Sequence, residues 1–398
     1  MNKSLVLSII SVLLITSSIA QEVSTNNDWW LSIGELADKY GYEYEDTYVT
    51  SEDGYISKLH RIRGPLGQDN SNREPFYAVA PFATSEAVFF LHGPEQSQGF
   101  QIINAGYDFW FLSPRGSPSS RGHIDPDISE ADYWRFDLVD ICLDHIAALT
   151  YIEEVTGYPQ VHADGFSSGG SSLGHAIAVY PDFFNAHLRS VHYLVGTMNF
   201  AHCTFYLFNW LVAVPGLLTT LEDFGFYALT NINFPQQMIQ GLICQMFEEV
   251  CVRVADDLLQ ILDGDSDDYN AFSTFFFRGN AGYSTHLIAH YLQSLVTKKV
   301  TYFDYGEEGN LEAYGHPEPP RIQYENHRMP VAMYNAEGDT IADITDAQWF
   351  MDQIGDALVF FHEYPSSAHF SFGLRKDMYY LDDMFDIMSQ YPIERTNQ

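Results

Sequence analysis

A serine set between two glycines, Gly165-Phe166-Ser167-Ser168-Gly169, is the first chemistry the chain offers. A hydroxyl is a poor nucleophile at its own pKa, so it needs a base to take its proton and an acid to hold that base. The G-x-S-x-G spacing fits an elbow in which a strand turns sharply into a helix, with glycines where strand and helix pass closely. The flanks agree: residues 160–164 are expected to form a short strand, and residues 171–180 a helix of small residues stopped by Pro181. The plain alternative is a Gly/Ser turn without chemistry. Two further residues fit the remaining roles. Asp339 follows the apolar run 331–334 in a glycine turn, and His369 follows the run 359–363 in Ser366-Ser367-Ala368-His369-Phe370. Both stand just past expected strand ends, in the chain order Ser, Asp, His. Asp339 would fix the imidazole, and His369 would take the proton from Ser167 and deliver it to a leaving alcohol. Asp343 and Asp346 are rival acids, and His362 is a rival base.

The elements that must position these residues alternate between short apolar strands and helices. Residues 28–40 read as an amphipathic entry helix, and residues 42–63 as a hairpin turning at Glu52-Asp53-Gly54-Tyr55. Residues 64–74 read as a polar loop. Strands are expected at 88–91, ending on His92-Gly93-Pro94, and at 107–112, 189–195, 331–334 and 359–363. A long helix over 133–155 leads into the elbow strand. Such alternation implies an α/β architecture, a mostly parallel sheet covered on both faces. Residues 199–320 break the pattern, being aromatic-rich and helical, and read as a cap inserted between two core strands. The expected organisation is a signal segment over 1–20, core over 21–198, cap over 199–320 and core again over 321–398.

Composition narrows the partners. Acidic residues outnumber basic ones 53 to 19, and the formal charge of -34 argues against nucleic acid or anionic membrane surfaces. With 46% hydrophobic and 15% aromatic residues the chain is a folded one, not a disordered acidic one. The charge suits an acidic compartment or a crowded neutral fluid equally. Lys3, the apolar run 5–15 and the small residues up to Ala20 read as a secretory signal ending near Ala20, too short to span a membrane. No later run is long and apolar enough to cross a bilayer. Secretion permits disulfides, and Cys244 and Cys251, which flank an apolar helical segment, are the expected pair; Cys142 and Cys203 read as buried thiols. After the signal no N-x-[ST] sequon occurs. His286 and His290 lack the adjacent glutamate of a zinc helix and read as structural. The acidic run 263–268 lacks the glycine and terminal glutamate of a calcium loop and reads as a solvated turn. No metal or cofactor is expected.

The chain resembles the acid lipase family, the gastric and lysosomal lipases with their invertebrate relatives, from about Trp29 to its C-terminus. The resemblance is carried by Tyr40-Gly41-Tyr42, the stretch 48–55, Phe90-Leu91-His92-Gly93, Ala105-Gly106-Tyr107-Asp108-Phe109-Trp110, the Ser167 elbow, Ala281-Gly282, Tyr302-Phe303-Asp304-Tyr305-Gly306, and Gly338-Asp339 with Ala342-Asp343. It implies an α/β-hydrolase fold and hydrolysis of lipid esters through an acyl-enzyme under a helical cap. The family's nucleophile, acid and base fall on Ser167, Asp339 and His369. The family's elbow resembles G-H-S-Q-G, where this chain has Phe166 and Ser168. The Ser168 change is tolerable, because the oxyanion donor there is a backbone N–H. The second oxyanion donor resembles the N–H directly after His-Gly, where Pro94 has none. Loss of one such donor costs about 10²–10³ in turnover. The segment 94–104 is about half as long as the family's equivalent, and the Glu95 N–H is the candidate substitute. Two functions follow: a secreted lipase or carboxylic ester hydrolase acting on esters of apolar acyl chains, or a non-catalytic lipid-binding, storage or yolk-type protein, favoured by Pro94, the short loop and the acidity. A peptidase or small-ester hydrolase on this fold follows from analogy alone, and the aromatic cap speaks against it.

Overall fold

The computed structural model describes residues 28, 30–81, 84–214, 216–229 and 282–395, with single residues and short runs between 239 and 275. The expected signal segment 1–20 lies outside the described residues. The strands, in chain order, are β1 (Tyr42–Thr50), β2 (Tyr55–Pro65), β3 (Pro75–Val79), β4 (Asp108–Leu112), β5 (Gly122–His123), β6 (Val161–Phe166), β7 (Leu188–Leu194), β8 (Ala228–Leu229), β9 (Tyr283–Ser284), β10 (Val331–Ala336) and β11 (Leu358–Tyr364). All but β8 and β9 form one sheet in the order β1-β2-β4-β3-β6-β7-β10-β11, with β5 beside β2. β1 with β2 and β2 with β4 pair antiparallel; from β4 to β11 every pairing is parallel. In β3, β4, β6 and β10 every residue is buried, as expected of parallel strands with helices on both faces.

Local chemistry sets the boundaries. The β1–β2 hairpin turns at Gly54, whose φ of 94° favours glycine. The helix Leu138–Thr156 starts on a capping box, with Asp137 accepting from Val139 and Asp140 N–H, and stops at Gly157 in the left-handed region. That cap divides the expected long helix: a short helix Glu130–Tyr133 comes first, and Trp134 turns inward between the two. A Cβ on Gly116 or Gly282 would meet the Trp134 ring at 2.4 or 2.6 Å, so both positions need a bare backbone. The entry helix is shorter than expected, Ile33–Tyr40, because Ser32 and Glu35 cap it reciprocally.

One expected strand is corrected. Residues 86–90 form a 3-10 helix, not a strand, and the strand in this part of the sheet is β3. Four apolar residues in a row cannot distinguish a buried strand from a buried turn of helix by periodicity. Here Phe89 and Phe90 pack edge-on against Phe109 instead of pairing with it.

Between β7 and β10 the chain leaves the sheet. Its described parts include the helices Tyr206–Ala213, Leu217–Asp223, Thr285–Thr297 and Gly306–Tyr314 and the small β8–β9 ribbon. Cys244 and Cys251 are joined by a disulfide, and Cys142 and Cys203 are free and buried. The acidic run is also corrected. Residues 263–266 lie outside the described residues, but Asp267 is fully buried, with its carboxylate accepting from Ser371 Oγ at 3.1 Å. The serine just past His369 recruits a carboxylate that composition alone would leave in water. His290 Nε2 bonds the Thr301 carbonyl at 2.9 Å and His286 stacks on Phe303. Among the described residues no cluster could hold a metal ion, and no helix is long and apolar enough to cross a membrane.

Candidate active site

β6 ends at Phe166, and the helix Ser168–Val179 begins two residues later, leaving Ser167 alone in the turn. Its φ of 55° and ψ of -119° lie where a side chain is strained. The neighbours explain how the strain is held. A Cβ on Gly165 would stand 2.6 Å from Gly170, and one on Gly169 would stand 2.2 Å from the Val79 carbonyl oxygen. Ser167 N–H donates to the Leu194 carbonyl at 2.8 Å, pinning the turn to β7.

The two loops at the ends of β10 and β11 meet this serine. His369 Nε2 is 2.7 Å from Ser167 Oγ, and His369 Nδ1 is 2.8 Å from Asp339 Oδ2. The other Asp339 oxygen accepts from the Ile341 and Ala342 N–H groups at 2.8 and 2.9 Å, so the carboxylate can face only the imidazole. All three side chains are buried. The loops brace each other: Gly338 N–H donates to the Ser367 carbonyl, and Arg375 donates to Ser366 O and Ser367 Oγ. A hydroxyl paired with an imidazole that is itself held by a carboxylate can transfer its proton as it attacks an electrophile.

The rival residues are engaged elsewhere. Asp343 caps the helix Ile344–Ile354, Asp346 accepts from His202, and His362 is half exposed on β11. Ser168, as the first residue of its helix, has an N–H without an intrahelical acceptor.

His92 and Gly93 are set apart from the elbow turn in the chain's local structure. Those residues, with Pro94 and Glu95, form a turn before the helix Gln98–Asn104, tied by Ser97 Oγ to both the N–H and the carbonyl of His92. The chain beside the elbow is the end of β3, where Val79 pairs with Gly165 and Ala80 and Pro81 line a cavity together with Ser168. Sequence reasoning missed these residues. The available signal was Phe76-Tyr77-Ala78-Val79, three strand formers and an alanine set between Pro75 and Pro81.

Comparison with known proteins agrees with this geometry. Residues 33–104 match the family model described as a partial alpha/beta-hydrolase lipase region. Lipase 1 of Drosophila melanogaster is 25% identical over 339 residues, 84% of this chain and 74% of that one. Gastric triacylglycerol lipase of Bos taurus is 25% identical over 369 residues, 88% of this chain and 89% of that one. Among solved structures, a lipase candidate from Sulfolobus solfataricus superposes with a TM-score of 0.57 at 12% identity, over 88% of this chain and 95% of that one. The chain adopts the α/β-hydrolase fold and is similar, as a distant homologue, to the gastric and Drosophila lipases.

Proposed function

We propose that the protein is an exported serine ester hydrolase acting on lipid esters, with Ser167 as nucleophile, His369 as base and Asp339 as its orienting acid. The observation that carries the reading is the pair of hydrogen bonds from Ser167 Oγ through the His369 ring to Asp339, at 2.7 and 2.8 Å. Ser167 Oγ attacks the ester carbonyl carbon while its proton passes to His369 Nε2. The carbonyl oxygen becomes an oxyanion that the Ser168 N–H can meet. The C–O bond then breaks, the leaving alcohol takes the proton from His369, and an acyl-serine remains. Water attacks that ester by the same route in reverse and restores Ser167.

The lipid-binding or storage alternative rested on Pro94, a short loop and the acidity, and the short-loop support weakens. With the strand ending at Val79, the connection to Ala105 starts after Pro81 and is about twice as long as the one counted from Pro94. Residues 199–320 act in this reading as a cap, since Gly282, Tyr283, Leu287 and Tyr291 line the cavity at Ser168. Export is supported by the signal-like residues 1–20 and by the Cys244–Cys251 disulfide. The substrate class is supported by the relatives' names, lipase and triacylglycerol lipase. The test is labelling of the purified protein by a fluorophosphonate together with ester turnover, beside Ser167→Ala. Both signals are expected in the wild type and neither in the variant; unlabelled wild type, or turnover that survives the substitution, overturns the reading.

A further inference from the structure

We propose that Asp267, which belongs to the segment inserted between β7 and β10, is a positioning residue for the base: acting through Ser371, it holds the turn that carries His369. The inference rests on the ester hydrolase reading above and deepens it by adding a residue that acts at one remove from the reacting atoms. Ser371 stands two residues after His369, and it closes the turn on itself. Ala368 N–H donates to Ser371 Oγ at 2.9 Å, and Ser371 N–H donates back to the Ala368 carbonyl at 3.1 Å. A hydroxyl has one proton to give. With its lone pair facing the Ala368 N–H, Ser371 Oγ gives that proton to Asp267 Oδ2 at 3.1 Å. Both side chains are fully buried, so water does not stand in for the acceptor. Without Asp267 the hydroxyl turns toward another acceptor and loosens its hold on Ala368.

Asp267 is itself fastened to the loop it braces. It pairs with Arg375 as an isolated antiparallel bridge, and Asp268 N–H donates to the Leu374 carbonyl at 2.7 Å. Phe275 packs edge-on against Phe370, the residue after His369, with ring centroids 5.4 Å apart. The base needs bracing from outside the sheet, because its ring must satisfy two partners at once, Ser167 Oγ at 2.7 Å from Nε2 and Asp339 Oδ2 at 2.8 Å from Nδ1. It does so from a loop that passes through Ser366 in the left-handed region, with a φ of 49°. A shift near 1 Å at reacting groups costs about 10² in turnover, so a turn free to relax by that much would leave Ser167 without an effective base.

The experiment measures kcat and KM on the best of a fluorogenic ester series from acetyl to dodecanoyl, together with the rate of fluorophosphonate labelling, at a temperature where the proteins are folded. It compares wild type, Ser167→Ala, Asp267→Ala, Asp267→Asn, Ser371→Ala and the double variant of Asp267→Ala with Ser371→Ala. Asp267→Ala and Ser371→Ala are each expected to lower kcat and the labelling rate together by about tenfold to a hundredfold, with KM within about twofold of wild type. Asp267→Asn keeps an acceptor oxygen of the same shape and should stay within about fivefold of wild type. The double variant should lose no more than either single one, because both cut the same chain of bonds. Wild-type kcat and labelling rate in Asp267→Ala or Ser371→Ala, beside a lowered urea midpoint, would make the contact structural only and overturn the proposal; losses that multiply in the double variant would overturn it too. Should Asp267→Ala not fold, Ser371→Ala decides by the same criteria. Absence of Ser167-dependent turnover and labelling in the wild type overturns the hydrolase reading itself, and this proposal with it.

Discussion

At the scale of single residues the site depends on Asp339 having no alternative partner. One of its oxygens is filled by two backbone N–H groups, so the other must face His369 Nδ1 and fix which ring nitrogen carries the proton. Asp339→Asn keeps the shape but presents an amide that can stabilise the wrong tautomer. The comparable change in a serine protease triad costs about 10⁴ in turnover, and a loss of that order is expected here, with fluorophosphonate labelling slowed in parallel. A loss below about tenfold would show that Asp339 does not orient the base. All three of these residues were legible in the sequence, because each sits on a short turn at the end of an apolar run and the chain order constrains the choice. The rivals could be dismissed only in three dimensions: Asp346 faces His202, and nothing about its sequence surroundings says so.

At the scale of elements the decisive feature is the close approach of β3, β6 and the helix Ser168–Val179. Gly169 lies against the Val79 and Ala80 carbonyls, and a methyl group there would meet backbone at 2.2 Å, which no side-chain motion relieves. Gly169→Ala should therefore destabilise the protein by about 2–3 kcal/mol, read as a lower urea midpoint. It should also reduce turnover about a hundredfold at temperatures where the variant is folded, since shifts near 1 Å at reacting groups cost that much. Unchanged stability would mean that strand and helix are not packed as described. Most strands and helices were legible from apolar periodicity and turn residues. The exception, a 3-10 helix over 86–90, has a physical cause: four buried apolar residues followed by His-Gly imitate a strand end, while the strand over 75–79 opens on a proline. Propensity could not separate two runs whose difference lies in which one finds strand partners.

At the scale of the whole molecule, buried titratable groups give the fold opposing responses to pH. Burial pushes the Asp164 carboxyl up to about 8, against the lowering effect of hydrogen bonds from the Gln98 side chain and the Val79 backbone. A carboxyl whose pKa is raised on folding supports the native state at low pH and progressively opposes it as pH rises from about 4 toward 8. His145 and His175 behave oppositely: burial pushes each down to about 3, so their contribution is complete above about 6.5 and is lost as pH falls. Asp164→Asn removes the first effect alone. The variant should gain stability over wild type at pH 8.5 by a few kcal/mol and much less at pH 4.5, measured as urea midpoints; a gain independent of pH would show that Asp164 titrates normally. Composition gave the acidity of the chain but not this, since the Asp164 carboxyl counts among the 53 acidic residues while being held uncharged.

β7 and β10 lie side by side in the sheet, although residues 195–330 separate them in the chain. The long excursion therefore departs from one strand and returns to its immediate neighbour, and its two ends, Val195 and Pro330, bond to Tyr334 and Val191 along that seam. A segment attached in this way resembles an exchangeable head on a fixed handle. It can be lengthened or trimmed without unthreading the sheet as long as its bonds to the site's loops are kept, namely Asp267 to Ser371 Oγ and Thr204 N–H to the Thr340 carbonyl. The sheet that carries the three turns and the segment that leans over them can in that sense be altered one at a time.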